Sequence, residues 1–173
     1  FTAAIQNNVK RIVYCSSMAR YGDVNPPFFE EQKVNPVDPY GVSKLAAENT
    51  LKILANTHNI EYNIAVPHNI IGPMQKYDDP FRNVVSIMTN LILQKRKPII
   101  YGDGEQTRNF SDIDDCLYCL DKLITSKEIL SETFNIGPDE EYISINQLFE
   151  KLSNKLKFNK GAKYFEDRPN EVK

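Results

Sequence analysis

The sequence is poor in cysteine and lacks both a long hydrophobic run and an excess of either charge. Its three cysteines, Cys15, Cys116 and Cys119, are odd in number and carry no disulfide framework, so a reducing cytoplasm is the expected setting. Cys116-Leu117-Tyr118-Cys119 has the C-x-x-C spacing, but no second pair and no nearby histidine accompany it. Inside an apolar helical pattern it reads as core packing, and no metal is expected. No apolar stretch approaches the ~20 residues of a membrane-spanning helix, and no repeat or low-complexity tract is present. A formal net charge of -2 gives no field that would gather nucleic acid or an anionic membrane. An anionic ligand would have to be held by local cations.

What is present is ordinary in amount and ordered in pattern. The 173 residues, 41% hydrophobic and 25% charged, suffice for a globular core. Hydrophobic period predicts a strand over Arg11 to Cys15, a helix over Tyr40 to His58 and a strand over Tyr62 to Val66. That is the β-α-β order of a parallel sheet. The polar segment Asp23 to Pro39 between them is proline-rich, which forbids a continuous helix or inner strand and leaves a loop able to border a site. A helix from about Phe81 to Lys95 should follow, then a short strand over Pro98 to Tyr101 and a turn at Gly102-Asp103-Gly104. Asp112 to Ile124 reads as a helix whose Asp112, Asp114 and Asp115 suit its positive end. Phe134-Asn135-Ile136-Gly137 reads as a buried strand closed by a glycine turn, and Ser144-Ile145-Asn146-Gln147 as a capping box opening a helix to about Leu156. The Asn- and Lys-rich stretch from Lys151 to Lys163 reads as an exposed end.

The chemistry is concentrated in Pro39-Tyr40-Gly41-Val42-Ser43-Lys44, preceded by Ser16-Ser17. A tyrosine four residues before a lysine shares its helical face, where the cation can favour the phenolate and make tyrosine a proton carrier. Spacing alone is weak, since such pairs occur on many solvated helices. Its company is stronger: Ser16-Ser17-Met18-Ala19-Arg20-Tyr21-Gly22 directly follows the first strand.

With Val66-Pro67-His68-Asn69-Ile70-Ile71-Gly72-Pro73, Phe81-Arg82-Asn83-Val84, Tyr101 through Phe110, Phe134 through Gly137 and Arg168-Pro169-Asn170-Glu171-Val172, the order of motifs resembles the NAD-dependent epimerase/dehydratase group of extended short-chain dehydrogenase/reductases. The likeness is greatest to UDP-glucose 4-epimerase-like nucleotide-sugar epimerases. It implies an α/β fold: part of a Rossmann-type doubly wound parallel sheet, with a smaller C-terminal α/β part for the substrate. Residues 1–79 would form the C-terminal half of the NAD-binding domain and 80–173 mainly the nucleotide-sugar part, with about 102–137 returning to the first. Family members open with a Gly-rich turn that seats the dinucleotide pyrophosphate. The first glycine here is Gly22, so the sequence is expected to be the middle and C-terminal portion of a longer enzyme, inactive by itself.

The resemblance implies roles residue by residue. Tyr40 exchanges a proton with the sugar 4-hydroxyl, Lys44 lowers its pKa and binds the nicotinamide ribose, and Ser17 hydrogen-bonds the reacting hydroxyl. Ser16, Pro67 and His68 lie beside NAD, Ser16 being as readily a strand-end turn residue and His68 a satisfied structural histidine. Asn69, Asn83 and Val84 meet the substrate's diphosphate or sugar, Ile99 and Tyr101 border the uracil, Arg108 and Arg168 clamp the pyrophosphate, and Glu171 accepts from ribose hydroxyls. Arg20 departs from the small residue usual at its place and is open between substrate, loop and surface. Family dehydratases carry Asp-Glu directly after the catalytic Ser/Thr; Met18-Ala19 stands there instead, which disfavours dehydration. The implied activity is epimerisation of a UDP-sugar through a 4-keto intermediate, by an enzyme that pairs as a homodimer through two helices, one bearing Tyr40. Another extended reductase or decarboxylase on nucleotide sugars, or a non-catalytic binding module, are the alternatives.

Overall fold

The computed structural model describes residues 1–79, 83–138 and 142–166. In chain order its elements are α1 (Thr2–Gln6), β1 (Arg11–Cys15), a single 3-10 turn (Met18–Arg20), α2 (Pro39–His58), β2 (Glu61–Pro67), β3 (Ile70–Ile71), α3 (Val84–Leu93), β4 (Ile99–Tyr101), β5 (Thr107–Arg108), β6 (Ser111–Asp112), α4 (Ile113–Thr125), β7 (Thr133–Ile136), β8 (Ile143–Ser144), α5 (Ile145–Leu156) and β9 (Lys163–Phe165). Two compact units result, residues 1–68 with 114–137 and residues 69–113 with 138–173.

The first unit is built on a three-stranded sheet in the order β1-β2-β7, parallel throughout. β2 is the middle strand, and its run Tyr62 to Val66 is buried without alternation, as expected of a parallel strand covered on both faces. α2 crosses between β1 and β2. Asp38 caps it by accepting from the Gly41 N–H at 2.8 Å, Pro39 occupies its first turn, and Asn59 ends it in the left-handed region. Leu51 and Ala55 from α2 join Tyr21, Tyr62, Ile64 and Val66 in the core. β7 is buried only at Ile136, less than the sequence led us to expect. Among the described residues β2 is its one strand neighbour, so it stands as an edge strand. α4 buries Cys116, whose thiol burial pushes up in pKa, and its last turn is held by the Arg11 guanidinium, which donates to the carbonyls of Leu123 at 3.2 Å and Ile124 at 2.9 Å.

The second unit is a set of two-stranded pairs, β3 with β6 and β4 with β9 parallel, β5 with β8 antiparallel. Helices α3 and α5 share its core of Met88, Ile100, Ile145 and Leu148. α3 ends at Leu93 and not at Lys95, because Lys95 takes a left-handed φ of 60° that no α-helix continues through. The expected beginning of this helix, Phe81 and Arg82, lies outside the described residues. α5 opens on the expected capping box: Ser144 Oγ accepts from Gln147 N–H at 3.1 Å, and Gln147 Oε1 accepts from Ser144 N–H at 2.8 Å. Lys163, read as part of an exposed end, begins β9 opposite Ile99, although its side chain is exposed.

Candidate functional site

The end of β1 delivers the two serines. Ser16 donates its backbone N–H to the Ala65 carbonyl at 2.7 Å, extending the sheet by one bond. Ser17 then turns away in an extended conformation and caps the 3-10 turn, its Oγ accepting from Ala19 N–H at 3.3 Å. A hydroxyl that accepts there keeps its own proton available for donation.

Lys44 reaches this strand end. Its Nζ donates to the Cys15 carbonyl at 2.9 Å and stands 5.2 Å from the ring centroid of Tyr14 and 5.6 Å from that of Tyr40. One of three ammonium donors is thereby used. Tyr40, one turn earlier on the same face, is 55% exposed. The approach of α2 to the serine turn depends on Gly41, where an added Cβ would lie 2.4 Å from the Ala19 carbonyl oxygen.

Ser16 and Arg20 turn inward. The Ser16 hydroxyl is buried and donates to Glu48, whose other oxygen pairs with Arg20 at 3.4 Å. Arg20 is thus neither a surface residue nor a loop contact but a buried cation. Glu48 was not singled out from sequence; its signal was its place four residues after Lys44, on the face that continues into Leu51 and Ala55.

Pro67 ends β2 half-buried, and His68 behind it is buried, its N–H bonded to the Ile136 carbonyl at 2.9 Å and its ring 5.9 Å from that of Phe28. Burial lowers the His68 pKa below the ordinary histidine value, against the opposing pull of Asn135 and Glu30. Asn135 gathers the surrounding loop: its Oδ1 accepts from the Tyr21 hydroxyl at 2.6 Å, its side-chain amide donates to the Phe28 carbonyl at 3.1 Å, and its backbone N–H donates to Glu30 at 2.8 Å. Burial raises the Tyr21 pKa, which keeps this phenol protonated as the donor. The proline-rich loop is thereby fastened to β7 by side chains that the sequence reading did not nominate.

In the second unit a cavity of about 310 Å³ is lined by Asn69, Asn83, Val84, Ile99, Tyr101 and Arg108 together. These are the described residues nominated for substrate binding, apart from Ser17; Arg168 and Glu171 lie outside the described residues. Met88, Leu91, Gln106 and Phe110 complete the walls. Asn83 is the cap of α3, its Oδ1 accepting from Val85 N–H at 2.9 Å and its Nδ2 donating to the Ile70 carbonyl at 3.3 Å. Asn69, at a positive φ of 36°, donates its amide to the Asn109 carbonyl at 3.0 Å. Gln106 donates to the Tyr101 carbonyl at 2.9 Å and Arg108 to the Thr107 carbonyl at 2.7 Å. The cavity therefore joins an apolar bed suited to a flat ring with a helix N-terminus and a guanidinium suited to an anion. Among the described residues no group of histidine, cysteine and carboxylate side chains could hold a metal ion, and no helix is long and apolar enough to cross a membrane.

A parallel sheet with this serine turn, Tyr40 and Lys44 defines an extended short-chain dehydrogenase/reductase fold. The chain belongs to the NAD dependent epimerase/dehydratase family, which residues 1–137 match. It is 35% identical over 169 residues to the putative UDP-glucose 4-epimerase of Methanocaldococcus jannaschii, an alignment covering 95% of this chain and 53% of that protein. Its fold is that of a UDP-N-acetylglucosamine 4-epimerase from Methanobrevibacter ruminantium solved with UDP-N-acetylmuramic acid (TM-score 0.92, 30% identity, 100% of this chain and 55% of that one). A UDP-glucuronic acid 4-epimerase from Bacillus cereus, solved with UDP-glucuronic acid and NAD, superposes with a TM-score of 0.89 at 26% identity over 98% of this chain and 53% of its own. The chain thus spans about half the length of these relatives.

Proposed function

We propose that the whole protein is an NAD-dependent nucleotide-sugar 4-epimerase acting on a UDP-sugar of the glucose or N-acetylglucosamine type. The observation that carries this reading is the lysine–tyrosine pair: Lys44 fastened to the Cys15 carbonyl beside the serine turn, with Tyr40 exposed above it. The donor set fits the cofactor, since Lys44 retains two N–H groups for ribose hydroxyls after its bond to Cys15. Bound NAD supplies the acceptor and donor of hydride. Tyr40 moves the proton at the sugar 4-oxygen, and Ser17 donates a hydrogen bond to that oxygen while its lone pair holds Ala19 N–H. Lys44 fixes the ribose and places a positive charge beside the Tyr40 ring.

Epimerisation is favoured over dehydration because no carboxylate follows Ser17; Met18 packs against the core and Ala19 spends its N–H on the cap. The cavity in the second unit would take the UDP moiety, with uracil against Ile99 and Tyr101 and the diphosphate at Asn83, Val84 and Arg108. In this reading residues 1–79 belong to an NAD-binding domain and residues 80–173 mainly to the nucleotide-sugar part, with about 102–137 returning to the first. A cytoplasmic homodimer goes with it, supported by three free cysteines and by Val42 and Ile53 exposed on α2. In the whole protein Tyr40→Phe should lower turnover on the order of 10²–10⁴-fold while NAD still copurifies. Turnover at the wild-type rate would remove Tyr40 from the chemistry and the reading with it.

A further inference from the structure

Beneath the serine turn lies a buried ionic network that takes no part in the chemistry above. Glu48 is 0% exposed and Arg20 only 5%, and they meet at 3.4 Å. That is a charge contact without hydrogen-bond geometry, for Arg20 Nη1 and Glu48 Oε2 make no hydrogen bond among the described residues. The second Glu48 oxygen accepts from the Ser16 hydroxyl. The guanidinium also lies 5.3 Å from the ring centroid of Tyr21, itself fully buried.

A buried ion pair is a poor way to stabilise a core, because desolvating two charges offsets most of their attraction and apolar side chains of similar volume serve as well or better. Its use is geometric. Tyr40, Lys44 and Glu48 recur every four residues along one face of α2. Lys44 grips Cys15, and Glu48 grips Ser16 and Arg20, so the backbone is held immediately before Ser17 and three residues after it. Between these anchors the Ser17 side chain caps Ala19 N–H and the Ser17 carbonyl accepts from Arg20 N–H at 3.1 Å, so fixing Arg20 fixes Ser17 as well.

We propose that Arg20 and Glu48 are positioning residues for proton transfer: their buried pair locks the turn that presents Ser17 to the helix face that presents Tyr40 and Lys44. The inference rests on the reading of Ser17 and Tyr40 as the reacting pair. Neither residue touches substrate. Each acts through the placement of Ser17, for which a misplacement of about 1 Å can lower a rate about a hundredfold.

The test uses the whole protein with UDP-glucose and UDP-N-acetylglucosamine as substrates, comparing Glu48→Gln, Arg20→Met and the double variant. Each single variant should lower kcat on the order of tenfold to a hundredfold with KM changed less than about twofold, since the nucleotide cavity is untouched. Each should also unfold at a lower temperature, because one charge is left buried without its partner. The double variant buries no charge; it should recover the wild-type unfolding temperature while kcat stays low. If the singles do not fold, the double decides alone. Wild-type kcat in the double variant, or singles destabilised with kcat of the folded protein unchanged, would show that packing places Ser17 and would overturn the proposal. Ser17→Ala and Tyr40→Phe serve as controls: wild-type turnover in those two would show that the reacting pair was misread, a failure separate from that of the clamp.

Discussion

Replacing Gly41 with alanine adds one carbon at the closest approach of α2 to the serine turn. The new Cβ would stand 2.4 Å from the Ala19 carbonyl oxygen and 3.0 Å from Pro36 Cβ, where ordinary van der Waals contact begins near 3.4 Å. The first obstacle is backbone, so no side-chain rotation relieves it, and helix and turn must part by about 1 Å or the helix must tilt. Overpacking of this kind costs about 1–3 kcal/mol, and for a domain of this size about 1 kcal/mol lowers Tm by roughly 2–4 °C. The functional effect should be larger than the stability effect suggests. Tyr40 precedes Gly41 and Ala19 follows Ser17 by two residues, so the separation opens between the groups proposed to share one proton. A displacement of about 1 Å corresponds to about a hundredfold loss of kcat. Thermal unfolding and steady-state kinetics with UDP-glucose on Gly41→Ala should therefore show a Tm lowered by several degrees, kcat lowered far more, and KM nearly unchanged. Wild-type kcat with a lowered Tm would mean that the contact serves packing alone and would refute the argument from close approach.

Leu51, fully buried in the first core, should cost about 2–5 kcal/mol as Leu51→Ala in chemical unfolding; a cost below about 1 kcal/mol would mean that this core collapses around the gap. Arg108→Ala should weaken UDP binding by about 1.5–3 kcal/mol, roughly tenfold to a hundredfold by calorimetry, and leave NAD binding unaltered. Equal affinity would take Arg108 out of the nucleotide site. Ser144→Ala removes the cap of α5 and should cost about 0.5–2 kcal/mol, with Ser144→Gly milder. Because burial depresses the folded pKa of His68, the unfolded chain binds the proton first as pH falls through the ordinary value of 6.5. Stability should drop with pH across that window and level off below the folded value. His68→Gln should flatten this part of the pH profile, and an unchanged slope would show that His68 is not its source.

Strong periodicity was legible in the sequence. The run of β2, apolar but for Asn63, and the reciprocal cap of α5 each follow from a local rule and appear where the sequence predicts them, whereas α2 starts one residue before the expected Tyr40, with Asp38 as its cap and Pro39 in its first turn. Two-residue strands such as β3, β6 and β8 leave no periodic trace, and β9 pairs with β4 from a Lys- and Asn-rich stretch whose side chains stay exposed. The end of α3 was missed because lysine gives no warning of a left-handed φ. Six residues of the second unit's cavity were legible as motifs, but Met88, Leu91 and Phe110 look like any core residues until the walls are assembled. Arg20 and Glu48 were hidden for the opposite reason: charged residues read as solvated, and only their mutual partnership allows both to be buried.

The central claim is that the whole protein inverts carbon 4 of a UDP-sugar and conserves the hydrogen there. The direct measurement is proton NMR of UDP-glucose and UDP-N-acetylglucosamine incubated in deuterated water with the protein in its full natural length. The account predicts that at least one of them converges to a mixture of two epimers at carbon 4, with no solvent deuterium taken up at that carbon. Neither sugar changing while NAD is bound, or deuterium appearing at carbon 4 of the product, would contradict it.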